Sequence, residues 1–218
     1  MIRLEHLTKI FMLEGQRKVV MSDVNVEFRS GISVGLLGRN GAGKSTLLKM
    51  IAGTEAPTSG RIISTGSISW PVGFAGSFHP ELSGVQNIRF IARIYGVDSD
   101  ELVAFVEDFA GLGVHFHLPF RTYSSGMRSR LAFGVSMGIP FDTYLVDEVT
   151  AVGDTSFKAK SAEVFKARLA TAGAFVVSHS TRMIRDMCQS AVVLDNGKLV
   201  YFEDVEAGIA QHERNMAS

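Results

Sequence analysis

Cysteine is almost absent from this sequence, and neither sign of charge is in surplus. The 218 residues include one cysteine, Cys188. A single thiol builds neither a disulfide framework nor a Cys-based zinc site. It reads as a small buried hydrophobe in a reducing compartment. Lys and Arg together number 22, as do Asp and Glu, so the formal net charge is zero. A nucleic-acid-binding domain normally carries a basic excess, so this balance argues against nucleic acid as a partner. No apolar run approaches the roughly 20 residues that a membrane-spanning helix needs. Met1-Ile2-Arg3-Leu4-Glu5-His6 lacks the basic-then-apolar pattern of a signal peptide. The expectation is a cytosolic chain that does not cross a membrane by itself.

What is present is hydrophobic: 46% of residues, against 20% charged, a balance that excludes disorder. The length suits one domain with room for a subdomain. The mean hydropathy of +0.18 is high for a soluble protein and points to some apolar surface that faces a partner. Alternating apolar residues at Ile2 and Leu4, and at Val24, Val26 and Phe28, predict half-buried strands. Ile32 to Leu37 reads as a buried strand, and Lys44 to Ala52 as a helix closed by Gly53. From about Val72 to Ile139 the pattern turns helical, with segments at Val85–Tyr95, Glu101–Ala110 and Arg128–Gly138. Asp98, three residues before Glu101, predicts a helix cap. Strand signals return at Thr143–Val146, Phe175–Ser178 and Ala191–Leu194, with helices between them near 157–170 and 181–189. Asn196-Gly197 predicts a hairpin. Strands alternating with helices indicate an α/β fold with a largely parallel sheet.

Gly38-Arg39-Asn40-Gly41-Ala42-Gly43-Lys44-Ser45 fits G-x-x-x-x-G-K-[ST]. Average residue usage produces that pattern by chance in roughly one chain of this size in a hundred. Its context fits as well, with a strand before it and a helix after it. The glycines let backbone N–H groups turn inward around phosphate oxygens. The helix start adds partial positive charge. Lys44 would bridge the β- and γ-phosphates of a nucleotide, Ser45 would ligate Mg²⁺, and Thr46 would sit nearby. Tyr144-Leu145-Val146-Asp147-Glu148 is an apolar strand ending in two carboxylates. Beside a phosphate loop, Asp147 would hold Mg²⁺ and Glu148 would polarise the attacking water.

The order of motifs is more specific than any one of them. After the phosphate loop come Tyr123-Ser124-Ser125-Gly126-Met127, then Asp147-Glu148, then Asp154, then Val177-Ser178-His179-Ser180. Over essentially its whole length the chain resembles the nucleotide-binding subunits of ABC transporters. The resemblance implies a P-loop ABC-type ATPase core with an inserted helical subdomain and an amino-terminal antiparallel β part. One ATP-binding domain would span 1–218, with the core at about 1–71 and 140–218 and the helical subdomain at about 72–139. It also implies that Ser124, Ser125, Gly126 and Met127 form a signature loop meeting ATP held by a second copy. Asp154 would be the D-loop aspartate, His179 a switch residue at the γ-phosphate, and Phe11 the aromatic that stacks on adenine.

Ile68-Ser69-Trp70-Pro71 and Asp147-Glu148-Val149-Thr150-Ala151-Val152-Gly153-Asp154 narrow the match. They look like the ATP-binding subunits of Gram-negative capsular-polysaccharide exporters. O-antigen and teichoic-acid exporters share much of this pattern. O-antigen versions often carry a further carbohydrate-binding domain, and the early end of this chain favours the capsule reading. Two motifs depart from the family. Ser125 and Met127 replace a glycine and a glutamine of the signature, and Gly73 or Phe74 falls where a glutamine normally follows the strand. Gln86 lies nearby, at the start of a helix.

The resemblance further implies a head-to-tail homodimer with two ATP sites, closed by binding and reopened by hydrolysis. The implied partners are integral permease subunits and, indirectly, periplasmic and outer-membrane export components. The implied place is the cytoplasmic face of the inner membrane, peripherally. A non-transport ABC ATPase is the reading from another class, but the long coiled coil, second cassette or basic surface typical of those is not visible. A guanine-specific Asn-Lys-x-Asp is also missing. Trp70, Phe74, Phe78 and Phe90 read either as core or as a groove for a permease helix. Arg121, Arg128 and Arg130 read either as an anion patch or as a solvated helix face.

Overall fold

Alternation of apolar and polar residues sets the first layer. β1 (Ile2–Leu13) and β2 (Gln16–Phe28) form a long antiparallel hairpin, and β4 (Ser59–Ser64) pairs with the other edge of β1. Glu14 and Gly15 at the tip both have positive φ, 48° and 79°, as a two-residue hairpin loop requires. The computed structural model describes residues 1–73, 75–147 and 155–217. Contacts within it divide the chain into two units. The first is Met1–Pro71, Phe141–Glu148 and Thr171–Ser218; the second is Val72–Pro140 and Val149–Ala170.

The first unit contains a second sheet, of six strands. β3 (Ser33–Leu37), β5 (Ile68–Pro71), β6 (Thr143–Asp147), β7 (Gly173–Val177), β8 (Ser190–Asp195) and β9 (Lys198–Phe202) lie in the order β5-β6-β7-β3-β8-β9. The first five are parallel, and β9 is antiparallel to β8 through the turn at Asn196-Gly197, both with positive φ. All five residues of β3 are buried, as are those of β7, which is why both read as continuous apolar runs. α1 (Lys44–Ile51) buries Leu47, Leu48, Met50 and Ile51 in the core shared by the two sheets. Phe28 sits in that core, edge-on to Phe175 at 4.9 Å and to Tyr201 at 5.7 Å. α6 (Thr181–Met187) and α7 (Val205–Ala217) complete the unit.

The second unit is helical: α2 (Gly84–Tyr95), α3 (Ser99–Ala110), α4 (Ser125–Gly138) and α5 (Thr155–Leu169), with short 3₁₀ turns at Gly113–His117 and Phe120–Thr122. Ser83 and Gln86 form a reciprocal capping box at the start of α2. Asp98 caps α3 through Asp100 and Glu101 N–H, 2.9 Å each, as its position in the sequence predicts. α4 presses on α3 through Gly138, where a Cβ would lie 2.3 Å from Leu102 Cδ1. Phe109 of α3 meets the rings of Phe105, Phe133 and Phe157.

Three sequence expectations change. The sequence starts the third helix of the middle region at Arg128, but the helix begins at Ser125, because the Ser124 hydroxyl accepts from Met127 N–H. α7 lies beyond the last element read from the sequence, although Asp204 marks its start by accepting from Glu206 and Ala207 N–H. The four aromatics behave separately. Trp70 packs edge-on to Phe141, Phe78 packs on Phe120, Phe90 is 54% exposed, and Phe74 lies outside the described residues. Truncating a buried ring of the sheet core, Phe28→Ala, is expected to lower unfolding stability by about 3–5 kcal/mol. A urea titration followed by circular dichroism checks this.

Candidate functional site

The site is built where the parallel strands of the first unit end. β3 runs into the glycine loop, and its turn depends on two backbone positions. Gly38 has φ 153°, and a Cβ there would meet the Leu194 carbonyl oxygen at 2.5 Å. Gly43 has φ 108°, and its Cβ would lie 2.2 Å from Val20 Cγ1. Any side chain at either position would push the loop off its strand. Gly43 is the cap residue of α1 and makes no side-chain cap bond. The amides at a helix start carry partial positive charge. Lys44 Nζ donates to the carbonyls of Gly38, 2.7 Å, and Arg39, 3.1 Å, which holds the ammonium across the loop.

β6 ends beside this loop. Ser45 Oγ donates to Asp147 Oδ1 at 3.4 Å, so the hydroxyl and the carboxylate converge across 102 residues of sequence. β7 delivers His179 from its own end, one residue before Ser180 caps α6 by accepting from Met183 N–H. One cavity of about 510 Å³ is lined by Asn40, Gly41, Gly43, Lys44, Ser45, Thr46, His179, Phe11, Leu13, Lys18 and Val20. Its volume is within the range of about 300–1,000 Å³ usual for small-ligand sites. The structure thus brings together the phosphate loop, Asp147, His179 and Phe11. Leu13, Lys18 and Val20 were not anticipated. They come from the β1–β2 hairpin, and only its pairing of Phe11 with Lys18 points to them.

Arg39 turns away from the cavity and donates to the Asn215 carbonyl of α7 at 2.5 Å. Ala42 N–H donates to the Arg39 carbonyl, which closes the tight turn of the loop. Glu148 and Asp154 lie outside the described residues. In the second unit Ser124 is an exposed helix cap, followed by Ser125, Gly126 and Met127 in the first turn of α4. The chain before it is fixed by Tyr123, which is buried and donates its hydroxyl to the Phe116 carbonyl at 3.2 Å. Burial pushes the Tyr123 phenol up from its usual range. Arg128 donates back to the carbonyls of Tyr123 and Arg121, 3.1 and 3.0 Å. Its guanidinium buttresses the loop rather than forming an anion patch. Arg121 pairs with Glu81 and Arg130 covers the Phe157 ring.

An all-oxygen pair, Ser45 Oγ and Asp147 Oδ1, suits a hard cation such as Mg²⁺, which takes few protein ligands and the rest from phosphate and water. Desolvation pushes the His212 imidazole down from its ordinary value and the Lys44 ammonium adds to that, against a smaller opposite pull from Glu213. The folded chain therefore binds a proton at His212 less readily than the unfolded chain. Stability is expected to fall as pH drops from about 7.5 to about 5.5, through the ordinary histidine range. Thermal melts across that window should show a shallower slope in His212→Gln.

Residues 21–151 match the family described as ABC transporter. The polysialic acid transport ATP-binding protein KpsT of Escherichia coli is 49% identical over 216 residues, 98% of this chain and 96% of that protein. The capsule polysaccharide export ATP-binding protein CtrD of Neisseria meningitidis serogroup B is 45% identical, covering 94% of this chain and 95% of that one. The O-antigen export system ATP-binding protein RfbB of Klebsiella pneumoniae is 35% identical, over 94% and 85%. Among solved structures, the dimeric post-hydrolysis state of the ATP-binding cassette MJ0796 with ADP and Pi superposes with a TM-score of 0.74. It is 19% identical and covers 92% of this chain and 98% of that one, a likeness of fold. With its phosphate loop, its strand-end carboxylate and nearly full-length relatives of this kind, the chain belongs to the ABC transporter family as an ATP-binding subunit.

Proposed function

We propose that this chain is the ATP-hydrolysing subunit of an exporter that moves capsular polysaccharide across the inner membrane. The observation that carries the reading is the single cavity into which the phosphate loop, His179 and Phe11 converge. Identity of 45–49% to capsule and polysialic acid transport proteins supports the cargo, against 35% to O-antigen and teichoic-acid export proteins.

Phe11 receives the adenine ring on its cavity side. Backbone amides of 38–43 and the start of α1 bind the phosphate chain, and Lys44 moves from loop carbonyls to the β- and γ-phosphates. Ser45 and Asp147 would hold Mg²⁺, with Thr46 beside them, and the ion would supply positive charge against the negative charge of the phosphates. Glu148 accepts the proton of the attacking water as its oxygen bonds to the γ-phosphorus and the bond to the ADP oxygen breaks. His179 orients that water and the γ-phosphate. Ser124, with the start of α4 through Met127, presents a hydroxyl and amides to ATP held by a second copy, and Asp154 is the D-loop aspartate. The functional division would be a core at about 1–71 and 140–218 and a helical subdomain at about 72–139.

The working assembly is then a homodimer on integral permease subunits, peripheral to the cytoplasmic face of the membrane. Envelope-spanning export components would be reached through the permease. No described helix is long and apolar enough to span a membrane. Anchoring therefore falls to these partners.

Glu148→Gln is expected to bind ATP normally and to hydrolyse it about 10²- to 10⁴-fold more slowly. Equilibrium binding and phosphate-release assays measure the two quantities. Wild-type turnover in that variant would remove Glu148 from its role. Affinity capture of the same variant from native membranes, followed by mass spectrometry, should recover an integral exporter subunit with envelope polysaccharide components. Recovery of ribosomes or DNA-repair factors alone would overturn the transport reading.

A further inference from the structure

Among the described residues Lys9 is the one charged side chain in the buried class, at 7% exposure. A buried ammonium is costly unless it is paired and hydrogen-bonded. Lys9 Nζ pairs with the Glu55 carboxylate and donates to the Ala56 carbonyl at 2.7 Å. It also lies 4.7 Å from the centroid of the Phe11 ring. Phe11 lines the cavity and Lys9 does not, so the ammonium backs the ring from the protein side.

The partner of Lys9 connects the ring to the phosphate end. Thr54 and Glu55 donate their N–H groups to the Lys49 carbonyl, 2.9 and 3.2 Å, in the last turn of α1. Thr58 N–H donates to the Thr8 carbonyl, and Ile10 N–H donates to Thr58 Oγ1. Segment 54–58 is thereby hooked at one end to the helix that begins with Lys44 and Ser45, and at the other to β1 on both sides of Lys9. The ladder between β1 and β2 shifts register on both sides of Lys9, so strand pairing alone does not fix the ring.

We propose that Lys9 is a positioning residue for the base end of the nucleotide site. Its ammonium, anchored by Glu55, holds the Phe11 ring at a set distance from the phosphate loop, and the base stacks on the opposite face. The inference rests on the reading above, in which Phe11 receives the base.

The test compares two ligands on the full chain by calorimetry with Mg²⁺ present: ATP, and inorganic tripolyphosphate, which lacks the base. Lys9→Met should weaken ATP binding about three- to tenfold, between the scales of an exposed and a desolvated cation–π contact, and leave tripolyphosphate unchanged. Phe11→Leu should do the same, and the double variant should be no weaker than Phe11→Leu alone. Lys9→Arg should restore part of the loss. Glu55→Gln, which keeps the shape of the pair, carries the same comparison if Lys9→Met does not fold. Equal weakening of both ligands, or additive losses in the double variant, would make Lys9 an ordinary structural ion pair and overturn the inference. Equal affinity of the wild type for ATP and tripolyphosphate would instead overturn the role of Phe11. Binding of neither would overturn the nucleotide reading itself.

Discussion

The burial of β3 on both faces is the constraint on which the site depends. Val34, Leu36 and Leu37 have no solvent face, and the strand is held between β7 and β8 by parallel ladders. Ligand sites in such sheets lie beyond the carboxyl ends of the strands. Parallel pairing puts the ends of β3, β6 and β7 at the same edge, and with them the glycine loop, Asp147 and His179. The site residues are far apart in sequence yet need no long-range contacts of their own to meet. Sheet register does that work, and the loop passes so close to the Leu194 carbonyl at Gly38 that a Cβ would lie 2.5 Å from its oxygen. A loop so closely fitted to its neighbours is preorganised, and little ordering entropy is lost when an anion enters it.

The base end is held differently. The β1–β2 hairpin projects Phe11, Leu13 and Lys18 beyond the sheet core, with Met12 and Leu13 largely exposed. Nothing comparable to the burial of β3 fixes it there. Tethers supply the rigidity: Lys9 on Glu55, Thr58 on β1, and Ser22 N–H on the Gly197 carbonyl of the β8–β9 turn. The two ends of one cavity therefore have different mechanical origins, a buried sheet at the phosphate loop and a braced hairpin at Phe11. The tip of the hairpin, at Met12 and Leu13, makes mostly exposed contacts, whereas moving the phosphate loop disturbs the core.

Much of this was legible in the sequence, and the reasons are local. The glycine loop, the apolar run of β3 and the Asn196-Gly197 turn are chemistry written in adjacent residues, where a backbone conformation selects a residue type directly. Asp98 announced α3 for the same reason. His179 was reachable only through the order of motifs, since a single histidine after a strand has no local signature. The contributions of Lys9, Tyr123 and Arg128 were not legible, because each acts on groups brought near by folding: an ammonium on a ring, a hydroxyl on a carbonyl seven residues away, a guanidinium on two carbonyls. Gln86 illustrates the converse. The sequence places it near the position where the family has a glutamine, yet its side chain is consumed in capping α2, where its carbonyl oxygen accepts from Ser83 N–H.

That accounting also bears on the altered signature. In the proposed reading its anion-facing elements would be the Ser124 hydroxyl and the first amides of α4. The helix start needs only a cap at Ser124, which accepts from Met127 N–H, and a continuing turn, made by Arg128 N–H on the Ser124 carbonyl at 2.9 Å. At Ser125 and Met127 the backbone supplies the amides, so neither the glycine nor the glutamine of the usual motif is required for this end of the helix to form. Gly126 contributes differently: a Cβ there would approach nothing closer than Ser124 Oγ at 4.0 Å, so the residue leaves the approach to the cap open rather than satisfying a strained turn. The substitutions change what the loop displays at its side chains while leaving intact the cap, the amides and the positive end of a 14-residue helix. The physical device is kept, and what this chain has given up is the carboxamide that would lie beside it.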